Sequence, residues 1–428
     1  MKAVKVKQIA RYLGKRENAL SFERIKDPRA RRGRRWTLRS LLTATFVSMV
    51  AMERSFRGVE RLTDDLSGCR KRLRIPRRVP DSTLANLYAH LDDEAGLRDV
   101  LIEDIERARR RKALEPTRLP FNAVAIDGKT IWCGRHEVDD PACLKMPQEG
   151  RDYFRLHTLH AVLISVASQP CIDQLLVPNK TNEMGALPQL IANLVAAYGK
   201  SFIEMVTMDA GMTSAQNARV VTASGMRYVM AVKGSQPTLL AETERLCGWG
   251  SHKQVGHICD AATPWERYRG NRVRRELFRS KEIKGWPDWP SARQVWRVKQ
   301  TTHKPNGEVE VVNRYFVTSL PWERLSGQEI LRLVRLHWGV ENGCHWTMDV
   351  VLGEDTHSWC TKGKALRMLS WLRLLAYNAL RFLRHRYLRA PKNQSMPWDE
   401  LCRRITHALT QAEAWRWDGS AEATAEMP

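Results

Sequence analysis

The feature that most constrains the fold of this chain is a series of short apolar runs and amphipathic segments between residues 123 and 232. Short runs rich in branched side chains indicate strands, whereas apolar residues spaced three and four apart indicate helices. In chain order the segments are strands at 123–126, 159–167 and 172–177, a helix at 183–198, a strand at 202–208, a helix at 214–223 and a strand at 228–232. The sequence therefore predicts an α/β unit with a mixed five-stranded sheet flanked by helices.

Three strands, a helix, a strand, a helix and a strand follow one another in an RNase H-like fold, and we predict that fold here. In that order the first and fourth strands lie side by side at the centre of the sheet. Asp127 and Asp209 each come directly after one of these two apolar runs. A single Asp in such a place is more often a turn or helix-cap residue. Two aspartates that follow neighbouring strands at one edge of the sheet, however, indicate a shared site.

The segments on either side of this unit differ in character. Up to about residue 114 the apolar spacing is helical, and between residues 235 and 322 several tryptophans stand among charged residues and β-like runs. A capping box of Ser326 and Glu329 predicts that a last core helix begins after the insertion. We predict an all-helical domain at 1–118, an α/β domain at 119–390 with a β-rich insertion at 235–324, and an extension at 391–428 with a disordered tail.

The last core helix supplies a third carboxylate. Ile330, Val334, Trp338 and Glu341 fall on one face of it, so Glu341 can reach the edge that bears the two aspartates. Converging carboxylates repel one another unless a cation is present, and hard ions such as Mg²⁺ prefer carboxylate oxygens. The sequence therefore predicts a Mg²⁺ site, with Mn²⁺ as a substitute. Three further acidic residues remain alternatives for the third carboxylate: Asp349, Glu354 and Asp355.

The chain is strongly basic, with 70 Lys and Arg against 47 Asp and Glu. Residues 1–120 carry 30 of these basic residues and 16 of the acidic ones. Such an excess is typical of proteins that bind a polyanion, so nucleic acid is the expected partner. The runs at 29–39, 70–78 and 107–112 are candidates for DNA capture, with a solvated surface as the alternative for each. The residues after Pro80 resemble the start of a recognition helix, and ordinary helical packing is the alternative.

The cysteines and the apolar segments bear on location. The nine cysteines are scattered without a CxxC pair, which favours a reduced, cytoplasmic setting without disulfides. The apolar stretch at 41–52 is too short to span a bilayer, so a soluble, nucleoid-associated protein without a membrane partner is expected. A zinc site is a weaker possibility, since the adjacent Cys344 and His345 depart from the usual ligand spacing; its four candidate ligands are Cys344, His345, His357 and Cys360.

Several motifs, taken in order along nearly the whole chain, resemble those of a known family. The motifs are Ala125-Ile-Asp-Gly-Lys-Thr130, Lys180-Thr-Asn-Glu183, Thr207-Met-Asp-Ala210, the segment 228–239, His337-Trp-Gly-Val-Glu-Asn342 and His345-Trp346, with Arg32-Gly-Arg-Arg35 and Asp81-Ser-Thr-Leu84 near the front. They resemble DDE insertion-sequence transposases of the H-repeat-associated group. The chain departs from that group's usual pattern at Arg269-Gly-Asn-Arg272 and at 356–360, which leaves the DNA contacts of those two segments open.

The resemblance implies a metal-dependent transposase whose catalytic and metal-binding triad is Asp127, Asp209 and Glu341. It also implies double-stranded DNA partners, namely the terminal inverted repeats of an element and its target DNA, and assembly as a homo-oligomer. Residues near the triad or in the basic front end are candidates for DNA contact, with ion pairing as the alternative for those near the triad: Lys129, Lys233, Arg335, His337, Arg32, Arg34 and Arg35. An RNase H-like nuclease without strand transfer and a non-catalytic DNA-binding protein remain the alternative functions.

Overall fold

The computed structural model describes residues 3–32, 34–134, 138, 140–148, 151–248, 259–355, 358–360 and 362–416. The end of the C-terminal extension lies outside these residues. His357 of the suggested zinc set and the segment of the insertion around Trp249 also lie outside them.

The N-terminal segment is helical, as the spacing of its apolar residues predicts. Its helices are α1 (Ala3–Ala19), α2 (Leu38–Val50), α3 (Phe56–Asp65), α4 (Asp81–His90) and α5 (Glu94–Arg110). Helix α2 begins after Thr37, whose side chain accepts a hydrogen bond from the backbone amide of Ser40 and so caps the helix. Almost every side chain of α2 is buried, because apolar and small residues occur on all its faces.

A single mixed sheet runs through the α/β part. Its strands are β1 (Ala123–Gly134), β2 (Cys143–Gln148), β3 (Arg151–Leu163), β4 (Cys171–Leu176), β5 (Met205–Met208), β6 (Arg227–Val232), β7 (Ala261–Ala262), β8 (Glu266–Tyr268), β9 (Asn271–Ser280), β10 (Gln294–His303) and β11 (Val309–Thr318). They follow the order β2-β3-β1-β5-β6-β11-β10-β9-β7, with β4 also paired to β3 and β8 to β9. Strand β5 is parallel to both β1 and β6, and the other neighbours are antiparallel.

The strand count differs from the predicted five for two reasons. Strand β2 adds to the edge of β3, and the insertion extends the sheet at the other edge instead of folding beside it. Tyr315 to Thr318 of β11 pair with Val229 to Val232 of β6, and β10 and β9 continue outward from β11. Strand β6 would otherwise leave a row of unpaired backbone groups at the edge of the sheet. The insertion covers that edge, and eleven strands of the described residues therefore form one sheet.

The remaining helices flank the sheet and continue to the C-terminus. They are α6 (Glu183–Tyr198), α7 (Ala215–Ala223), α8 (Pro237–Leu246), α9 (Gly327–His337), α10 (Gly363–Phe382), α11 (Pro391–Gln394) and α12 (Trp398–Thr410). The predicted capping box of Ser326 and Glu329 is present at the start of α9. Helix α9 leads into two π-helical segments, Val340–His345 and Thr347–Val351. Their wider turn changes the direction in which later side chains project.

The largest apolar cluster of the described residues joins the helical front end to the sheet. It includes residues of α1 to α5, the central strands and α10, and α10 packs against both α2 and α5. Tyr12 on α1 donates a hydrogen bond to the carbonyl oxygen of Ala379 on α10 at 2.6 Å. The first 110 residues and the sheet therefore share one buried core.

Candidate active site

The two aspartates predicted to share an edge of the sheet are in register. The parallel pairing of β1 with β5 runs from Ala123 opposite Met205 to Ile126 opposite Met208, so the next residue on each strand is Asp127 or Asp209. Asp127 does not end its strand as predicted, since β1 continues to Gly134 through its pairing with β3. It lies instead where β1 passes beyond the end of β5. The prediction that the strands bearing Asp127 and Asp209 lie side by side is confirmed.

Backbone amides orient both carboxylates. Oδ1 of Asp127 accepts a hydrogen bond from the amide of Gly128, and Oδ1 of Asp209 accepts one from the amide of Gly211, each at 2.9 Å. Asp209 also begins a short 3₁₀ turn, Ala210–Met212. These bonds occupy one oxygen of each group, and each carboxylate retains acceptor positions for a ligand.

Glu341 lies close enough to these aspartates to act on their ionisation. Burial raises the pKa of Asp127 to about 8, and the negative charges of Glu341, Asp209 and a further residue, Glu183, reinforce that rise. Burial likewise raises the pKa of Glu341, with the charge of Asp209 adding to the effect. The pKa of Asp209 is raised by burial and by Glu183. Four acidic groups therefore crowd one small region of a basic protein.

Glu183 is the member of this group that the sequence did not identify as a site residue. It occupies the first turn of α6, whose N-cap Asn182 accepts a hydrogen bond from the amide of Gly185. Its Oε1 lies 2.8 Å from Nε2 of His157. A Cβ atom at Gly128 would stand 1.7 Å from the same Oε1, so a larger residue beside Asp127 would require the Glu183 side chain to move. The sequence signal was present, because Glu183 ends the family motif Lys180-Thr-Asn-Glu183 and begins the predicted helix, but the sequence assigned it no role in the site.

The alternatives to Glu341 have different surroundings. Asp349 accepts a hydrogen bond from Lys129, and Oε2 of Glu354 lies 3.2 Å from the same ammonium group. Glu354 is buried and also approaches Arg373, whose Nη1 lies 3.3 Å from its other oxygen. Asp355 is more distant from Lys129, at 3.9 Å. These three carboxylates are engaged with cations of the chain itself, whereas Glu341 faces Asp127 and Asp209.

The basic candidates near the carboxylates have three kinds of environment. Lys129 is buried in the ion-pair cluster just described, so the ion-pairing alternative accounts for its position, although its partners are not the triad. Lys233 is exposed, and its positive charge partly opposes the rise in the pKa of both Asp209 and Glu341. Arg335 forms an ion pair with Glu266 at 2.7 Å. Of these three, Lys233 is the cation that faces the carboxylates from solvent.

His337 supports the end of β5. Its Nδ1 lies 2.8 Å from the hydroxyl oxygen of Thr207, two residues before Asp209. Burial lowers the pKa of His337 to about 4, so the imidazole is neutral at pH 7. This bond links helix α9, which leads to Glu341, with the strand that carries Asp209.

The arginines of the front end lie on the surface. Arg32, Arg34 and Arg35 are exposed, and Nη1 of Arg34 lies 3.4 Å from Oδ2 of Asp27. Arg34 is also engaged within the front end, because its side chain donates to the carbonyl oxygens of Ala30 and Arg29.

A basic cleft of about 1440 Å³ opens between α1, α5 and the segment after α10. It is lined by several cationic side chains, most of them exposed: Lys15, Arg107, Arg110, Arg111, Lys112, Arg386 and Arg389. The basic run at 107–112 therefore lines one cleft together with cations from the beginning and from the end of the chain. Among charged lining residues, Asp104 is paired with Arg16. The cleft presents a positive surface to solvent.

The tryptophans of the insertion are divided between core and surface. Trp289 and Trp296 are buried, and Trp265 is 38% exposed. Packing in the core therefore accounts for the first two. Two other tryptophans, Trp338 and Trp346, flank the turn that bears Glu341 and are 37% and 44% exposed.

The carboxylate site suits a hard divalent cation. Carboxylate oxygens are the ligands such ions prefer. Burial, reinforced by three neighbouring acidic groups, raises the pKa of Asp127, and a bound cation would favour its ionised form. In the described part of the chain, no three of the acidic groups bring their oxygens within 4.8 Å of one another. Asp127, Asp209 and Glu341 would hold such ions, which would supply positive charge at this end of the strands.

The sequence profile of a known family, described as the transposase DDE domain, matches residues 120–379. This segment includes all four acidic residues of the site and the whole sheet. The chain belongs to the transposase DDE family.

Relatives of this transposase-family chain include bacterial proteins of modest identity. It is 27% identical over 270 residues to "H repeat-associated putative transposase YhhI" of Escherichia coli K12, covering 60% of this chain and 64% of the relative. It is 24% identical over 310 residues to "Putative transposase YncI" of Escherichia coli O157:H7, covering 70% of each. The chain thus spans somewhat less than two thirds of the length of the first of these. The resemblance drawn from the motifs is confirmed.

A solved structure, a piggyBac transposase synaptic complex with hairpin DNA, is similar with a TM-score of 0.45 and 11% identity, covering 96% of this chain and 78% of that one. Similarity at this level carries no information on function. In the described part of this transposase-family chain, helices that combine the length and the apolar character needed to cross a membrane are absent.

Proposed function

We propose that this chain is a DNA transposase that cuts and joins DNA at the ends of its element with an RNase H-like core. The strand order β4-β3-β1-β5-β6, with β5 and β6 parallel to β1, supports this fold. The proposed catalytic domain spans 119–390, with the insertion 235–324 before its last helix. Residues 1–118 form a DNA-associated helical domain in this proposal, and 391–428 form an extension.

The observation that carries the proposal is the register of Asp127 with Asp209, with Glu341 near enough to raise the pKa of Asp127. We assign these three residues to the catalytic and metal-binding triad and Glu183 to the same acidic group. Divalent cations, Mg²⁺ or Mn²⁺, supply charge neutralisation for the attacking and leaving oxygens of a phosphodiester when bound. The chain holds the carboxylates at a fixed edge of the sheet by backbone hydrogen bonds, so little reorganisation is needed.

Lys233 has a role in positioning DNA in this proposal. It is exposed, and it lies close enough to Asp209 and Glu341 to oppose the rise in their pKa values. An ammonium group beside a carboxylate site can hold a non-bridging phosphate oxygen that would otherwise be repelled by the acidic residues. It would thereby guide the phosphate to the cleavage position.

The basic cleft is the proposed surface for the flanking duplex. Its exposed cations, among them Lys15, Arg110, Arg111 and Arg389, are suited to neutralise phosphates of the DNA backbone. Such contacts fix position without reading sequence, and they weaken as salt is raised. Arg32, Arg34 and Arg35 form a second exposed basic group on the same helical front end.

The proposed reaction has two phosphoryl-transfer steps at one site. Water attacks a phosphate at the element end, which leaves a 5′ phosphate on the flanking strand and releases a 3′ hydroxyl on the element. That hydroxyl then attacks a phosphate of target DNA and displaces the 3′ oxygen of the cut target strand. Both steps are in-line displacements, so one carboxylate set serves both. Joining two ends to one target requires two sites, and we therefore propose that the chain acts as a homo-oligomer on the terminal inverted repeats.

The test uses purified full-length protein and a labelled duplex taken from the repeats that flank its gene. Wild type and Asp127→Asn are incubated with Mg²⁺ and a target plasmid, and nicking and joining are measured. Joining by wild type alone supports the transposase. Nicking without joining replaces it by a nuclease, and salt-sensitive binding without either product replaces it by a non-catalytic DNA-binding protein.

A second comparison tests the third carboxylate. Glu341→Gln is expected to abolish nicking, because Glu341 lies beside the aspartates. Asp349→Asn is expected to retain it in the fraction of protein that folds, because Asp349 is engaged by Lys129. The reverse pattern, with nicking retained by Glu341→Gln and lost in folded Asp349→Asn, would overturn the assignment of Glu341.

A further inference from the structure

A second cluster of ligand-type side chains lies behind the acidic site. His160, Cys171 and Cys344 each offer a nitrogen or sulfur atom, and these three atoms lie within 4.8 Å of one another. His160 is 1% exposed and both cysteines are fully buried. A soft divalent cation such as Zn²⁺ prefers thiolate sulfur and imidazole nitrogen, whereas the carboxylate site prefers hard ions. The two clusters therefore differ in the cation they suit.

The fold brings the three ligands together from distant parts of the chain. His160 lies on β3 and Cys171 on β4, which are paired with Val162 opposite Cys171. Because side chains alternate along a strand, His160, Val162 and Cys171 project to the same face of the sheet. Cys344 reaches that face from the π-helical segment after α9. Each of these residues is more than ten positions from the other two, so no compact sequence motif marks the group.

Hydrogen bonds hold the strand that bears Cys171. The side chain of Asn378 on α10 accepts from the amide of Cys171 at 2.8 Å and donates to its carbonyl oxygen at 2.7 Å. The Cys171 thiol has a weak acceptor in the carbonyl oxygen of Asp173, at 3.3 Å from Sγ. Binding of a cation would replace the thiol proton and leave this backbone arrangement unchanged.

The imidazole of His160 has one nitrogen engaged and one unengaged. Its Nε2 lies 3.3 Å from the hydroxyl oxygen of Thr158, while its buried Nδ1 has no hydrogen-bond partner among the residues that the structure describes. Burial of a polar atom without a partner is costly, and a cation bound at Nδ1 would satisfy this atom. This pattern is also that of metal-binding histidines, where the second nitrogen is fixed by a hydrogen bond.

We propose that His160, Cys171 and Cys344 bind one Zn²⁺ ion at a buried site, to which these three residues supply the protein ligands. The predicted set of Cys344, His345, His357 and Cys360 shares only Cys344 with this group. His357 lies outside the described residues, and the thiol of Cys360 donates to the carbonyl oxygen of Lys362.

The proposed ion would stabilise the back of the acidic site. His160 lies opposite Asp127 in the pairing of β1 with β3, and its ring contacts that of His345 edge to face, with ring centres 5.2 Å apart. Nδ1 of His345 lies 3.7 Å from Oδ2 of Asp127. Fixing His160 would therefore restrict the neighbouring imidazole that contacts Asp127. Only this consequence rests on the proposed function; binding of the ion does not.

The experiment measures metal in full-length protein purified without a histidine tag from zinc-supplemented cells. We expect about one zinc per chain by mass spectrometry, as a single tetrahedral site requires. Cys171→Ser and Cys344→Ser are expected to fall to background. Cys247→Ser, a change at another buried cysteine, is the matched control and should retain zinc. Asp127→Asn should also retain it, which separates this ion from one bound by the carboxylates.

Replacement of zinc by Co²⁺ gives a readout that needs no variant. Thiolate ligation of Co²⁺ produces ligand-to-metal charge-transfer absorption in the near ultraviolet, which carboxylate ligation does not. Wild type should therefore show this band even if the serine variants fail to fold. If Co²⁺ is added to metal-free wild-type protein and the charge-transfer band does not appear, the proposal is overturned. Zinc that persists in both folded serine variants would also overturn it, as would a disulfide between Cys171 and Cys344 in freshly purified, metal-free protein.

Discussion

Replacing Asp127 by Asn should stabilise the protein when divalent cations are absent. Burial and the charges of Glu341, Asp209 and Glu183 raise the pKa of Asp127 from an ordinary value of 3.8 to about 8. The folded chain therefore binds a proton that the unfolded chain has released at any pH between these values. Stability falls as pH rises through this interval, and the loss is complete above about pH 8. An uncharged Asn does not have this cost.

The magnitude follows from the size of that rise. At about 1.4 kcal/mol for each pKa unit, the substitution can raise the free energy of unfolding by at most about 6 kcal/mol at pH 8. Partial solvent access and relaxation of the neighbouring carboxylates reduce this, and we expect about 2 to 3 kcal/mol. With an unfolding entropy of about 2 cal/mol/K per residue, a chain of this length gains roughly 2 to 3 °C in Tm. The gain should shrink towards zero as pH is lowered to about 4.

Thermal unfolding in EDTA between pH 4 and pH 9, followed by circular dichroism, checks this expectation. Asp65→Asn, a change at an exposed carboxylate on α3, is the control and should leave Tm unchanged across the range. Mg²⁺ should then raise the Tm of wild type and not that of Asp127→Asn, because a ligand stabilises only the state that binds it. A lower Tm for Asp127→Asn than for wild type at pH 8 in EDTA would refute the reasoning.

Three further changes test other parts of the structure. Glu183→Gln removes one of the negative charges beside Asp127 and should reduce Mg²⁺-dependent nicking by about 10- to 100-fold, with partial recovery as Mg²⁺ is raised. Lys129→Met leaves buried Glu354 without one of its cations and should cost about 3 to 5 kcal/mol, seen as a Tm lower by about the same number of degrees. Arg111→Glu places a negative charge in the basic cleft; it should weaken DNA binding and reduce the slope of log affinity against log salt by about 1.

Each of these changes has a matched control at a site without the feature in question. Glu282→Gln alters an exposed carboxylate and should leave nicking unchanged. Lys145→Met removes a surface pair with Asp152 and should cost less than about 1 kcal/mol. Lys200→Glu changes an exposed lysine outside the cleft and should leave the salt slope near the wild-type value. An equal effect of a test variant and its control would contradict the corresponding assignment.

Local sequence pattern determined most of the secondary structure. Helix α6 begins and ends at the predicted residues, and the capping box at Ser326 marks the start of α9. The strands β4 and β6 also lie within a residue of the predicted ends. These features depend on periodicity and on capping side chains within one turn, which a single sequence displays directly. The family motifs likewise depend on short spacings, and they led to the correct family.

The tertiary structure decided how distant segments meet. The extension of the sheet through β6 and β11 joins residues about ninety positions apart, and strand alternation alone does not specify which edge an insertion will cover. Burial of Lys129 among Asp349 and Glu354 likewise depends on segments more than two hundred residues apart in sequence. The sequence alone left two roles open for this lysine, namely contact with DNA and ion pairing with the triad.

The difference between what local sequence determined and what tertiary structure decided is clearest at the acidic site. Asp127 and Asp209 were predicted to meet because parallel neighbours share an edge, which follows from strand order alone. The inclusion of Glu183, and the group formed by His160, Cys171 and Cys344, appeared only when the helices and strands were packed. Side chains remote in sequence become neighbours through the register and the faces of whole elements. That information lies in the packing of the core, which no local pattern contains.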